Sequence, residues 1–335
     1  IEFGIEGRFF NNRLTMDLSI YNKKTNDLII DRPLDPSTGY TSTQTNIGLI
    51  ENKGAELDLS MNWFESQDGL NWSSSFNWST NDAIVIDLGE DTDRIVFAGF
   101  GTLGNAAIPG ESLGSIIGSS ITRLGGRIEN SRWVDGGDYV VNNQGSYDET
   151  FDPTIIGDAN PDWIANLSNT ISYKNLSLNF LFNYQQGGDI FTYTVATLLG
   201  RGLTTDTLDR ELSFVLPGVN SNGQPNTKMI NNSTFYFSNV LYGPDEMLVY
   251  DASHWRLGEV SLSYNLPKNL IESTPFGSIS ITASGFNLAY NAWNTPEGTN
   301  FDPNIAGVGI GNGRGFDFIN GPSARRYGGS IKLTF

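Results

Sequence analysis

Glu56 and Asp58 stand two residues apart in AELDLSMNW, a spacing that puts both carboxylates on one face of an extended strand. Two carboxylates can divide general-acid and general-base work without a histidine. Here Ser60 and Asn62 continue the same face, so it reads as a wet wall and not as a catalytic dyad. His254 is the only histidine in 335 residues and cysteine is absent. No spacing around that one histidine marks a Ser-His-Asp array or a zinc set, and no thiolate nucleophile is available. No enzyme activity, cofactor or metal is expected.

Two further motifs fail on their context. GFGTLG (Gly99–Gly104) matches G-x-G-x-x-G, but NAAIPGESLG follows where a dinucleotide site needs a helix, and Pro109 and Gly110 break it. It reads as a flexible glycine loop. Asp158, Asn160 and Asp162 spell D-x-N-x-D, yet the sixth position is Trp163 in place of glycine and the twelfth Asn169 in place of glutamate. Beside Pro161 these residues are expected to make turns rather than bind calcium. The acidic run Asp87, Glu90, Asp91 and Asp93 reads as a solvated loop. Two loop stretches, SRWVDGGDYVVNNQ and NLAYNAWNTPEGTNFDPN, mix rings with carboxylates and amides, the chemistry that stacks on and pairs with a sugar. Trp133, Asp135, Tyr139, Tyr290, Trp293 and Asp302 are the ligand candidates; the alternative for each is packing within its own loop or a place in an interfacial aromatic belt.

The elements that carry these residues are strands. LSLNFLFNYQ puts Leu176, Leu178, Phe180, Phe182 and Tyr184 on one face, and Ser177, Asn179, Leu181, Asn183 and Gln185 on the other, mostly polar one. RLTMDLSIYN, AELDLSMNW, LNWSSSFNW, WIANLSNTISY, VSLSYNL, SISITAS and the closing YGGSIKLTF repeat the pattern. No convincing amphipathic helix is read, and no run reaches the ~18 apolar residues of a spanning helix. The class is all-β.

Charged residues are only 17% of the chain, below the soluble average of about 25%, and the net charge is −17. A nucleic-acid partner, or a basic patch on an anionic membrane, needs the opposite sign. Connections alternate in length. Asn11–Asn12, Ser66–Gly69 and Lys174–Asn175 are short, whereas about 32–50, 88–160, 195–252 and 291–322 are long. A barrel in an outer membrane sorts its loops this way. The polar faces carry Asn, Ser, Thr, Asp and Glu with little lysine. Trp63, Trp72, Trp78 and Tyr173 sit near strand ends, as interfacial girdles would. The polar face is therefore expected to look inward, making Glu56, Asp58, Asn62, Asn179 and Asn183 lumen-facing. About nine or eleven strands are expected, the larger number if SLGSIIGSSIT and DYVVNN form a spanning pair. Ile1, with no initiator methionine, reads as an interior residue of a longer chain.

Five phrases together resemble the SusC/RagA family of TonB-dependent outer-membrane transporters of Bacteroidetes: NIGLIENKGAELDLSMNW, IIGDANPDWIANLSNTISYKNLSLNFLFNYQQGGDIF, DASHWRLGEVSLSYNLPKNL, ASGFNLAYNAWNTPEGTNFDPN and SARRYGGSIKLTF. The resemblance implies that residues 1–335 are the C-terminal portion of a 22-stranded antiparallel transmembrane β-barrel. The plug domain and the N-terminal strands are then expected outside this chain. It further implies outer-membrane active import of an oligosaccharide or peptide, a SusD-like surface lipoprotein as partner, and TonB coupling through the missing N-terminal part. Tyr327, Leu333 and Phe335, in one phase of the last strand, resemble a barrel-assembly signal. The alternatives are a non-importing barrel partner of a secretion or surface assembly complex, and a soluble carbohydrate-binding β-sandwich.

Overall fold

The computed structural model describes the chain apart from residues 35, 41, 47, 90–91 and 305–312. Glu90 and Asp91 of the acidic run thus lie outside the described residues. The long alternating segments form one nine-stranded sheet in chain order, each strand beside its predecessor. The strands are β1 (Glu2–Phe9), β2 (Leu14–Asn26), β3 (Leu49–Phe64), β4 (Leu70–Asp87), β5 (Trp163–Tyr173), β6 (Leu176–Gln186), β7 (His254–Asn265), β8 (Ser278–Asn291) and β9 (Arg326–Thr334). Pairing is antiparallel throughout. At the short turns the backbone enters the left-handed region, at Asn11 and Asn12 (φ 55° and 66°) and at Lys174 (φ 52°). Asparagine tolerates that conformation better than most residues.

Nine is the lower of the two expected counts, and the pair expected between β4 and β5 does not span. Ser115–Ile121 lies instead in a separate four-stranded sheet, between Leu103–Ala107 and Glu149–Asp158, with Ile95–Phe100 at its far edge. Its neighbours Ile116 and Ile117 point to opposite faces, and both are fully buried in different clusters. A strand with apolar residues on both faces has no side to give to water, so it belongs inside packed protein. Val140 and Val141, from the expected second member, are also buried and make only isolated bridges.

The core sits in the connections. Among the described residues, the buried hydrophobic side chains on the nine strands are Ala83, Val85 and Ala165, whereas Ile116, Phe191, Val195, Leu248 and Phe316 form a dry cluster between the loops. Part of that cluster is helical, contrary to the reading of the sequence. Helix α1 (Tyr193–Gly200) is capped by the Thr192 hydroxyl, which accepts from the Val195 N–H, and buries Val195, Ala196 and Leu199. At eight residues it is too short for a period to declare itself.

The sheet's apolar face is left uncovered. Phe182, Leu262 and Ile281 keep 39%, 45% and 47% of their surface exposed, where a core between two stacked sheets would bury them. The two-sheet sandwich is thereby overturned. Aromatic residues gather at both ends of this face. At one end Trp63 lies 5.5 Å from Trp72, and Tyr173 aligns through Leu176 with Tyr264. At the other Trp163 stacks on Tyr184 at 4.9 Å, and Trp255 lies opposite Tyr184. Trp163 and Tyr173 cap β5, an 11-residue strand, so at ordinary rise and barrel tilt the belts stand about 25 Å apart. That is the height of the apolar band of an outer-membrane barrel. The one deeply buried polar residue on this face is Asn169, whose Oδ1 accepts from Trp72 Nε1 at 2.9 Å and from the Ser74 hydroxyl at 2.5 Å. Such pairing is what a polar group needs beside hydrocarbon.

Placing a charge on the apolar face should therefore cost far more than placing it on the polar face. Phe180→Arg is expected to lower unfolding stability in lipid or detergent by about 2–4 kcal/mol, and Asn179→Arg, one residue away, by under about 1 kcal/mol. Urea titration of the two variants checks this.

Candidate functional site

The polar face is built from registered rungs. In one, Glu6, Asp17, Asp58, Asn77, Asn166, Asn183, Arg256 and Tyr290 stand directly opposite one another from β1 to β8. Asn77 donates to Asp58, and Asn183 Nδ2 donates to Asn166 Oδ1 at 2.6 Å. Another rung joins Asn62, Ser73, Thr170, Asn179, Ser261 and Ser284. There the Thr170 hydroxyl donates to Asn179 Oδ1 at 2.7 Å. Register thus puts Glu56, Asp58, Asn62, Asn179 and Asn183 on one continuous face, opposite to Phe180 and Phe182. The rungs change character around the sheet. Glu6, Asp17, Glu56 and Asp58 make β1–β3 acidic, β4–β6 offer amides and hydroxyls, and β7–β9 bring in Arg256, Arg326 and Lys332.

The loop layer rests on one end of this wall. Arg256 and Asp302 form a buried ion pair, 7% and 2% exposed. Arg256 also donates to Asn287 at 3.2 Å and lies 6.0 Å from the Tyr290 ring, and Tyr290 donates to the Asn300 carbonyl. Tyr290 and Asp302 are thus held by the protein itself; Asp302 fastens the β8–β9 connection to β7, and Tyr290 fastens it to β8. Trp293 lies 5.7 Å from Tyr184 and extends the aromatic belt. Trp133 donates to Ser120 at 2.8 Å, Asp135 pairs with Arg127 at 2.9 Å, and Tyr139 lies under Arg123 and against Tyr147. These three belong to the β4–β5 connection and do not converge with Tyr290, Trp293 and Asp302 on a common site.

Asp158, Asn160 and Asp162 form turns at the wall's upper rim. Asp158 Oδ1 accepts from the Asn160 N–H at 2.9 Å. Asp189, half-buried nearby, accepts from the Asp158 N–H at 2.8 Å; burial pushes its carboxyl above the usual range, and Asp251, Asp158 and Asp162 add to the rise. Among the described residues no group of three or more His, Asp or Glu is placed to hold a metal ion. Deeper in the layer, burial pushes the Tyr250 phenol up to about 12. Tyr327, Ile331 and Leu333 lie on the apolar face of β9, and the Phe335 ring stands 5.1 Å from Phe276.

The Arg256–Asp302 pair gives the site its sharpest mechanical prediction. Asp302→Ala strands a buried guanidinium and is expected to cost about 3–5 kcal/mol, whereas Asp135→Ala at an exposed pair stays within about 1 kcal/mol. Thermal unfolding, with limited proteolysis of the β8–β9 connection, measures both.

Comparison with known proteins agrees with this geometry. The family model described as "TonB dependent receptor-like, beta-barrel" matches residues 1–179, more than half of the chain. TonB-dependent receptor P26 of Formosa agariphila is 28% identical over 361 residues, covering 100% of this chain and 34% of that protein. TonB-dependent receptor P3 of the same organism is 29% identical over 302 residues, covering 86% and 29%. TonB-dependent receptor SusC of Bacteroides thetaiotaomicron is 26% identical over 182 residues, covering 53% and 18%. A chain of the solved RagAB peptide transporter superposes with a TM-score of 0.67 at 21% identity, over 100% of this chain and 35% of that one. The chain spans about a third or less of the length of the curated relatives it matches.

Proposed function

This chain belongs to the family of TonB-dependent receptor-like β-barrels, and from that premise we propose that it forms the C-terminal part of the wall of an outer-membrane importer in a Gram-negative, Bacteroidetes-like cell. The rungs of Asn, Ser, Thr, Asp and Glu line the passage, the aromatic-bordered face meets lipid, and the layer of long connections stands on the cell-surface side. The observation that carries this reading is the pairing of an uncovered apolar band, about 25 Å tall, with a continuous polar wall behind it. No soluble sheet profits from that arrangement. The cargo is an oligosaccharide or a peptide. Relatives named for SusC and a structural neighbour titled a peptide transporter support the class without choosing between the two.

The loop layer has its own core and can hold a rigid recognition surface, to which a SusD-like surface lipoprotein docks as a lid. Energy comes from TonB through the part of the protein outside this chain. Tyr327 and Leu333 on the last strand, with Phe335 directly after it, serve as the signal for barrel assembly. Deletion of the full-length gene tests the reading. Growth on at least one oligosaccharide or peptide mixture as sole nutrient is expected to fail and to return on complementation. Unchanged growth and uptake across the whole panel would overturn it.

A further inference from the structure

A cavity of about 740 Å³ lies where the polar wall meets the four-stranded sheet. Its floor is the upper end of β3 and β4, with Asn52 and Asn81; its roof is the Ile95–Phe100 strand and its neighbour, with Ile95, Phe97 and Asn105. Asn160 and Arg314 complete the rim. The lining divides cleanly by chemistry. Ile29, Ile50 and Phe97 give the open apolar surface, with Leu88, Ile95 and Leu113 packed behind it in a buried cluster; three amides keep free hydrogen-bonding groups, and one cation stands at the edge.

The amides are open in both senses. The Asn52 side chain has no hydrogen-bond partner among the described residues. Asn81 accepts from the Tyr21 hydroxyl at 3.1 Å and keeps its NH₂ free. Asn160 donates to Ser112 at 3.1 Å and keeps its Oδ1 free. Asn105, 1% exposed, acts on the backbone instead, since its Oδ1 accepts from the Arg314 N–H at 2.8 Å and fixes that stretch of chain at the rim. The next residue is anchored too, since the Gly315 carbonyl accepts from the Phe191 N–H at 2.8 Å. The Arg314 guanidinium itself is exposed and forms no ion pair among the described residues, although the chain carries a net charge of −17. It is also the only charged residue among the described ones that line the cavity.

The geometry points to a site for the C-terminal end of a short peptide. The terminal carboxylate pairs with Arg314, whose planar fork suits a carboxylate. The peptide bond, one donor and one acceptor, pairs with the free groups of Asn52, Asn81 and Asn160. An apolar last side chain packs on Ile29, Ile50 and Phe97. A sugar chain is the weaker fit, because one ring, Phe97, stands among aliphatic walls that hydroxyl groups cannot use. This assignment rests on the importer reading and chooses the peptide as its cargo.

The test is calorimetric titration of the purified full-length protein with Gly-Gly-Leu, its C-terminal amide, and maltotriose. Gly-Gly-Leu is expected to bind at least about tenfold more tightly than the amide, the worth of one hydrogen-bonded charge. Arg314→Gln, at an exposed position, is expected to abolish that difference while leaving the amide's affinity in place. Asn52→Ala is expected to weaken acid and amide forms alike. Equal affinity for acid and amide, an unaltered difference in Arg314→Gln, no binding of either peptide, or binding of maltotriose alone would each overturn the assignment. Binding is read without transport, so intact binding beside unchanged uptake in the gene deletion would sink the importer reading and leave the site standing.

Discussion

Main-chain hydrogen bonding across nine successive antiparallel strands fixes everything else about this chain, because it assigns each side chain to one of two faces with no freedom to choose. A slip of one residue between β5 and β6 would carry Phe180 and Phe182 into the row of Asn183 and Asn179. The register is held by side chains as well as backbone: Asn183 to Asn166 and Thr170 to Asn179 join the same two strands. Once the faces are set, the apolar one has no protein to cover it. Such a sheet finds its stability in hydrocarbon, and the aromatic belts mark where the hydrocarbon ends.

A wall of this kind has no core of its own, and the connections supply one. The cluster around Phe191, Val195, Leu248 and Phe316 is assembled from the β6–β7 and β8–β9 connections, with Ile116 from the one between β4 and β5. The shared cluster holds these connections together as one packed layer. The ion pair between Arg256 on β7 and Asp302 in the last connection then ties that layer to the wall. The cavity under the four-stranded sheet also lies between the wall and its connections, at the end of β3 and β4.

The strands within the apolar band were legible because alternation there is enforced by two solvents. LNWSSSFNW and WIANLSNTISY led to β4 and β5 with the observed limits, Leu70–Asp87 and Trp163–Tyr173. Legibility fades where that enforcement stops. The first turn of β3, Leu49–Gly54, lies beyond the band; Lys24 and Lys53 pair with Glu51 on what is elsewhere the apolar face, so no alternation announces the strand. β6 ends at Gln186, earlier than its apolar run suggests, because Gly187 and Gly188 turn away at positive φ. Inside the loop layer, Ser115–Ile121 looked like a spanning strand since composition alone does not say which neighbour buries it. Tyr290 and Asp302 carry ligand chemistry in the sequence, but their partners, Asn300 and Arg256, come from pairings a linear reading does not see. Arg314 gave no signal at all, since what marks it is its place in space, as the only charged residue among the described ones that line the cavity.

The orientation of the two faces is the central claim, and it can be measured directly. This chain has no cysteine, so single spin labels can be placed in turn at Leu178, Asn179, Phe180, Leu181, Phe182 and Asn183 in the protein reconstituted into lipid bilayers. Collision with oxygen, which concentrates in hydrocarbon, should peak at Leu178, Phe180 and Phe182, while collision with a water-soluble nickel chelate peaks at the other three. The opposite phase, or no period of two in either signal, would contradict the account.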